Sequence, residues 1–299
     1  MSVDKSVPVF KGSAVALVTP FKKDGGVDYD ALTRLIELQI VSGTDAIVVC
    51  GTTGEAATMT VDERLSTIQF VKERGNGRIP VIAGTGSNCT ASAIEASRNA
   101  EAIGVDGLLV VTPYYNKTTQ TGLIAHYNAI ADSVDLPIIA YNVPSRTGVN
   151  ILPNTMAEIM RHPNIVGIKE ASGNIEQVVT LAATCPDCHL YSGNDDQILP
   201  LLALGGLGVI SVVANVLPAV VHGLCEAFFS GDVAAAREAQ FQMLPLCKAA
   251  FCEVNPIPVK AMLGELKLCE PDVRLPLVPP AQENLVRIRE ALQAYGLID

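Results

Sequence analysis

The sequence predicts an α/β fold, a (β/α)8 TIM barrel with extra C-terminal helices. Eight short runs along the chain are near-continuously apolar, as parallel strands covered on both faces should be. The segments between them carry apolar residues at helical spacing, so the chain reads as a repeating β-α unit. A length of 299 residues, 49% of them hydrophobic, suits one such barrel. An open, doubly wound parallel sheet is the alternative arrangement of the same repeat.

The eight runs are Ser13–Val18, Ala46–Cys50, Pro80–Ala83, Gly107–Val111, Pro137–Tyr141, Ile165–Ile168, His189–Tyr191 and Gly208–Val213. Between the first two, residues Tyr29–Val41 place Leu32, Leu35, Ile36, Leu38 and Ile40 at helical spacing and stop at Ser42-Gly43. Thr60 is set to cap a helix over Val61–Val71, with Glu63 at the capping-box position. Ala91–Ile103 is alanine-rich and ends at Gly104, and Ala125–Val134 and Pro153–Met160 follow the same pattern. Beyond the eighth run the chain from Val220 to Asp299 is mostly helical in pattern, punctuated by Asn255-Pro-Ile-Pro258 and Pro276–Pro280. The expected organisation is a barrel over residues 1–222 carrying the functional site, with a helical extension over residues 223–299 packed on it.

Charged residues make up only 17% of the chain, below the usual quarter, so part of the surface is expected to be buried between copies in a homo-oligomer. The net charge of −10 and the lack of a basic patch argue against nucleic acid as a partner. The N-terminus, Met1-Ser-Val-Asp-Lys-Ser-Val-Pro8, has no cationic start followed by an apolar stretch. The apolar segment Leu199–Val221 is broken by Gly205, Gly206, Gly208, Asn215 and Pro218. A soluble, cytoplasmic protein without a membrane partner is expected.

Most of the eight cysteines sit in apolar stretches and read as small core residues. Cys185-Pro-Asp-Cys188-His189 matches the c-type haem attachment pattern. Haem attachment needs export, and a zinc site would need a second ligand pair; a surface loop before a strand is the reading kept. His126, His162, His189 and His222 are isolated, and His162 and His189 precede strands, away from the end where barrel chemistry occurs. Neither a metal nor a cofactor is expected. Gly84-Thr-Gly-Ser-Asn88 lacks the third glycine of a dinucleotide motif.

Barrel sites form at the C-terminal ends of the strands. The sixth run ends in Lys169-Glu170. Apolar surroundings penalise an ammonium and lower its pKa, and the neutral amine attacks ketones and aldehydes to form a Schiff base; a solvated lysine where a strand opens into a loop is the other reading. After the second run, the amides and hydroxyls of Gly51-Thr-Thr-Gly-Glu55 can grip a small carboxylate or form an ordinary turn. The fourth run leads into Thr112-Pro-Tyr-Tyr-Asn116. The fifth leads into Tyr141-Asn-Val-Pro-Ser-Arg-Thr-Gly148, which offers a proton-relaying tyrosine and a carboxylate-binding arginine, or a buried tyrosine and a surface arginine. The loops after the seventh and eighth runs, Ser192-Gly-Asn-Asp-Asp196 and Ala214-Asn-Val-Leu-Pro218, are acidic or apolar, so a phosphorylated substrate is not expected.

Five motifs in order, Gly51–Glu55, Thr112–Asn116, Tyr141–Gly148, Gly167–Glu170 and Asn255–Lys260, resemble the dihydrodipicolinate synthase family, nearly end to end. The resemblance implies a lyase that condenses pyruvate with aspartate semialdehyde in lysine and diaminopimelate synthesis. Lys169 would form the Schiff base, and Tyr141 would donate and accept protons. Thr52 and Tyr115 would complete the relay, Tyr115 from a neighbouring subunit. Thr53, Ile210 and Gly193 would bind substrate, with the pyruvate carboxylate on the Thr52-Thr53 turn, and Arg146 would hold the carboxylate of the second substrate. A homotetramer built as a dimer of dimers is implied as well. N-acetylneuraminate lyase and 2-keto-3-deoxy sugar-acid aldolases share the lysine and tyrosine, whereas the paired threonines and Arg146 favour the synthase over them; the complete set of Lys169, Tyr141, Thr52 and Tyr115 argues against a catalytically silent barrel. Lysine-inhibited members of the family carry polar residues at the positions of Val61 and Arg64 and a glutamate at that of Ser92; Asn88 and Tyr114 match, but Val61 and Ser92 supply neither imidazole nor carboxylate. Weak or absent feedback by lysine is expected.

Overall fold

Each of the eight apolar runs forms a strand in the computed structural model, which describes residues 3–299. The strands are β1 (Gly12–Ala16), β2 (Ala46–Val49), β3 (Val81–Gly84), β4 (Gly107–Val111), β5 (Ile138–Asn142), β6 (Ile165–Glu170), β7 (His189–Ser192) and β8 (Gly208–Ser211). All pair in parallel and in chain order, and β8 returns to β1 through Gly12↔Gly208 to Val15↔Ser211. The barrel is therefore closed, as expected, and the open doubly wound sheet is not formed. At the closing seam a Cβ on Gly208 would lie 1.8 Å from the Gly12 carbonyl oxygen, so only glycine lets the two strands meet there.

The helices are α1 (Tyr29–Val41), α2 (Val61–Gly75), α3 (Thr90–Ile103), α4 (Gln120–Ala131), α5 (Pro144–Thr147), α6 (Pro153–Ile159), α7 (Ile175–Thr184), α8 (Ile198–Ala203), α9 (Pro218–Phe229), α10 (Val233–Ala250), α11 (Ile257–Glu265) and α12 (Gln282–Ala294). The capping box at Thr60 and Glu63 forms as predicted. Helix α4 begins five residues before the predicted Ala125, because the Thr119 hydroxyl accepts the Gly122 amide at 3.1 Å and sets the start ahead of the apolar pattern. Helix α9 runs through residue 222, the expected boundary of the barrel, and packs against β1. Helices α10, α11 and α12 then pack on one another, with α10 also against α9. Among the described residues no helix is long and apolar enough to cross a membrane.

Two apolar layers follow from the alternation of side chains along each strand. The inner layer includes Ala14, Val48, Ile82, Leu109, Ile139, Tyr141, Tyr191 and Ile210. The outer layer, which includes Val15, Ile47, Ile138, Ala140 and Ile168, joins the barrel to the apolar faces of the helices. Phe10, just before β1, stacks on Tyr191 with ring centroids 4.3 Å apart, and the Tyr191 hydroxyl donates to the Phe10 carbonyl at 2.8 Å. This pair fills the N-terminal end of the barrel.

Strand β6 departs from plain alternation. Its register against β5 jumps from Ile138↔Ile165 to Ile139↔Gly167, which leaves Val166 as an extra residue, a β-bulge. Ile165 belongs to the outer layer, so unbroken alternation would turn residues 167 and 169 outward as well. The bulge reverses that phase. Lys169 then lies beside Tyr141 on one side and Tyr191 on the other, both of the inner layer. Gly167 permits the irregularity, because a Cβ there would approach the His189 carbonyl oxygen to 2.2 Å. Lys169 is also one residue inside the strand rather than at its exit, because the ladder continues to Glu170.

Candidate active site

Lys169 is 4% exposed, and its Nζ lies 4.5 Å from the centre of the Tyr141 ring. Burial is the main cause that lowers its pKa to about 8; the carboxylate of Asp195 opposes the shift and the Arg146 guanidinium adds to it. A lysine so placed holds a substantial neutral fraction near neutrality and can act as a nucleophile. The strand end around it is stiffened from below. The buried Glu170 carboxylate accepts from Asn142 Nδ2 at 2.9 Å and from the Ser172 amide at 2.7 Å, and Asn142 Oδ1 accepts the Ile151 amide at 2.9 Å.

Tyr141 joins the lysine to a cavity of about 280 Å³ at the mouth, which Thr52, Val143, Arg146 and Thr147 also line. Burial raises the Tyr141 pKa, while the Arg146 charge and the neighbouring Thr52 side chain lower it, so the phenol stays protonated beside a hydroxyl. Arg146 follows β5 on the short helix α5, is exposed, and donates from Nη2 to the Asn255 carbonyl at 3.2 Å. Thr52 is exposed in the turn after β2, whereas Thr53 is buried and its hydroxyl accepts from Asn255 Nδ2 at 2.9 Å.

Gly193 and Ile210 do not line that cavity; they lie around Lys169 and Tyr141. A Cβ at Gly193 would be 2.5 Å from the Ala171 Cβ and 3.1 Å from the Lys169 Cε, so the missing side chain leaves room for the lysine stem. Ile210 is fully buried in the inner layer with Tyr141. Tyr115 is not brought into this group within one chain. It is 89% exposed, at a φ of 70°. A bulky residue in the left-handed region is strained by about 1–3 kcal/mol, and the conformation aims the ring away from its own barrel core.

Three residues that sequence reasoning passed over complete the arrangement. Asp195, fully enclosed after β7, accepts from the Ser211 hydroxyl and from the amides of Val212 and Val213 at 3.0 and 3.2 Å. Its pKa is raised by burial, and its charge is the one that supports the Lys169 ammonium. Glu55 and Lys260 form a wholly buried ion pair at 2.7 Å, with Lys260 also donating to the Thr19 carbonyl at 3.0 Å. The pair ties the threonine turn after β2 to α11. A lysine inside the apolar stretch of residues 256–263 was the available signal for it, and the acidic step directly after the seventh run was the signal for Asp195. Among the described residues no cluster of three or more His, Cys, Asp or Glu side chains is arranged to hold a metal ion.

The model of the Dihydrodipicolinate synthetase family matches residues 9–295. A relative from Caldicellulosiruptor saccharolyticus, named 4-hydroxy-tetrahydrodipicolinate synthase, is 55% identical over 291 residues, covering 97% of this chain and 99% of its own. Among solved structures, the dihydrodipicolinate synthase of Thermotoga maritima superposes with a TM-score of 0.95 at 44% identity, covering 97% of this chain and all of the other. The synthase of Acinetobacter baumannii, solved in complex with pyruvate, gives a TM-score of 0.94 at 45% identity over 96% and 99% of the two chains. With a closed eight-stranded barrel, a buried lysine on β6 and relatives that match it over nearly its full length, the chain belongs to the dihydrodipicolinate synthetase family.

Proposed function

We propose that this protein is a lyase that condenses pyruvate with L-aspartate 4-semialdehyde to 4-hydroxy-tetrahydrodipicolinate, through a Schiff base on Lys169. The observation that carries this reading is the buried Lys169 amine held against the Tyr141 ring, with Tyr141 and Thr52 lining one cavity. The neutral Lys169 amine attacks the pyruvate carbonyl and water leaves. The imine draws electrons from the adjacent methyl group, which loses a proton to the Tyr141–Thr52 relay and becomes an enamine. The enamine carbon attacks the aldehyde of the second substrate, whose oxygen takes a proton back through Tyr141. The substrate amine then displaces Lys169 and closes the ring. Proton transfer of this kind accelerates a step by about 10²- to 10⁴-fold.

In this reading the amides and hydroxyls of Thr52 and Thr53 take the pyruvate carboxylate, Ile210 and Gly193 shape the space around Lys169 and Tyr141, and the Arg146 guanidinium orients the carboxylate of the semialdehyde. The partner subunit's Tyr115 completes the relay, which accounts for a strained tyrosine 89% exposed on its own chain. This requires at least a dimer with Tyr115 at the interface, and we infer a cytoplasmic homotetramer built as a dimer of such dimers. Val61, Arg64 and Ser92 supply no imidazole or carboxylate for a lysine ammonium, so L-lysine is a weak effector or none; potent inhibition at micromolar L-lysine would contradict that.

Borohydride reduction with pyruvate tests the chemistry. The wild-type chain should gain one pyruvyl adduct on Lys169, and Lys169→Ala should gain none. A coupled assay should show turnover of pyruvate with aspartate semialdehyde. Cleavage of sialic acid or keto-deoxy-gluconate instead would replace the acceptor, and an absent adduct in wild type would remove the Schiff base altogether.

A further inference from the structure

The Cys185-Pro-Asp-Cys188-His189 motif takes no part in that reaction. It lies at the opposite end of the barrel from the mouth: Cys185 caps the C-terminus of α7 and His189 opens β7, where it pairs with Gly167, two residues before Lys169. The Cys188 amide donates to the Cys185 carbonyl at 3.0 Å, closing a four-residue turn. Such a turn keeps its first and last Cα atoms within about 7 Å, and a disulfide spans about 4.4–6.8 Å between Cα atoms. Both thiols are half-buried, and each is the main influence on the other's acidity, lowering the Cys185 pKa and raising that of Cys188. Cys188 lines a cavity of about 240 Å³ with Lys5, Asp187 and His189. His189 is 8% exposed and its Nδ1 has no hydrogen-bond partner.

We propose that Cys185 and Cys188 are a reversible redox pair, oxidised to an intramolecular disulfide by a small-molecule disulfide and returned to the dithiol by a thiol reductant. The Cys188 thiol is the main cause that holds the Cys185 thiol below its ordinary range, and the Lys5 ammonium favours its thiolate further. Cys185 loses its proton to water, and its thiolate attacks one sulfur of the small disulfide, forming a mixed disulfide and releasing a thiolate. Cys188 gives its proton to that thiolate and attacks the Cys185 Sγ. The mixed S–S bond breaks, and the second small thiolate leaves and takes a proton from water. The protein loses two electrons and two protons, and one small disulfide becomes two thiols. Cys188 is pushed well up by the Cys185 thiol, by burial and by the Cys185 charge; the first and last causes vanish once Cys185 is in the neutral mixed disulfide, and burial remains. The other thiols lack this arrangement. Cys89 is exposed and alone, and Cys247, which shares a cavity with Cys252, is buried with its thiol pushed up.

The test is incubation of the full chain with oxidised glutathione, acid quench, alkylation and peptide mapping by mass spectrometry. The peptide holding Cys185 and Cys188 should lose two hydrogens without gaining glutathione, and dithiothreitol should restore it. Cys188→Ser, checked by circular dichroism for the wild-type fold, should stop at a stable glutathione adduct on Cys185. The proposal is overturned if both thiols in the wild-type chain are alkylated while Cys89 or the Cys247 and Cys252 pair takes up the oxidant. A folded Cys188→Ser variant that carries no adduct on Cys185 overturns it as well.

Discussion

Among the described residues two lysines are buried, each over an aromatic ring, and they behave differently. Lys260 sits 4.3 Å from the centre of the Phe21 ring and Lys169 sits 4.5 Å from that of Tyr141. Burial lowers the pKa of both. At Lys260 a carboxylate at 2.7 Å and a backbone carbonyl at 3.0 Å oppose the effect directly, so the charge has partners and serves to hold the threonine turn against α11. At Lys169 the opposing charge is Asp195, which is itself engaged by Ser211, Val212 and Val213, and Arg146 pushes the other way. The same residue type, equally buried, becomes a structural clasp where a carboxylate is in contact and a nucleophile where none is.

The contrast can be broken most sharply by the same change at both places. Lys260→Met leaves Glu55 as a buried charge without its partner and should destabilise the chain by about 3–5 kcal/mol, read as a fall in Tm. Lys169→Met removes an amine that pays for its own burial and should leave Tm unchanged or raised, with activity abolished. Equal losses of stability would erase the distinction. A second change acts on how Lys169 is aimed. Gly167→Ala brings a Cβ to 2.2 Å from the His189 carbonyl oxygen; overpacking of this kind costs about 1–3 kcal/mol. Because the bulge sets the direction of Lys169, pyruvyl trapping should fall even in the fraction that remains folded. Trapping at the wild-type rate would show that the bulge does not need glycine.

The smallest effect is on pH dependence. The nucleophilic form of Lys169 is the neutral one, so the acid limb of kcat/KM should rise through about pH 8. Asp195→Asn removes the charge that raises the Lys169 pKa and should move that limb to lower pH; a shift to higher pH would reverse the role given to Asp195. The sign for stability follows from the same group. Its folded pKa of about 8 lies below the ordinary 10.5, so between those values the unfolded chain binds the extra proton and stability rises with pH. Across that window the urea unfolding midpoint of the wild-type chain should rise relative to that of Lys169→Met, which lacks this contribution.

The barrel was legible because a parallel strand buried on both faces must be apolar throughout, and such runs stand out between helical stretches whether or not their partners are known. The helices were less evenly legible. Helix α2 announced itself through a capping box, but α5, α7 and α8 were not located separately; α5 is a single turn after Pro144, and α8 is apolar almost throughout and follows a 3-10 turn with no sharp start. The resemblance to a family named the members of the site, Lys169, Tyr141, Thr52, Tyr115, Thr53, Arg146, Ile210 and Gly193. It left unstated why Asn255, Glu55 and Lys260 belong beside them, since those contacts join segments about 200 residues apart.

What the sequence determined by itself is the order of strands and helices and the residue types at each strand end, because these depend on local burial patterns and short-range capping. What only the tertiary structure decided is where Lys169 points and what charge faces it. Plain alternation along Ile165-Val-Gly-Ile-Lys169 would turn the lysine outward with Ile165; the extra residue at Val166, admitted where Gly167 meets the His189 carbonyl, turns it into the barrel. The carboxylate that tunes it arrives from β7 and the phenol that serves it from β5. Those neighbours are set by the closure of the sheet, a long-range event that no local pattern encodes.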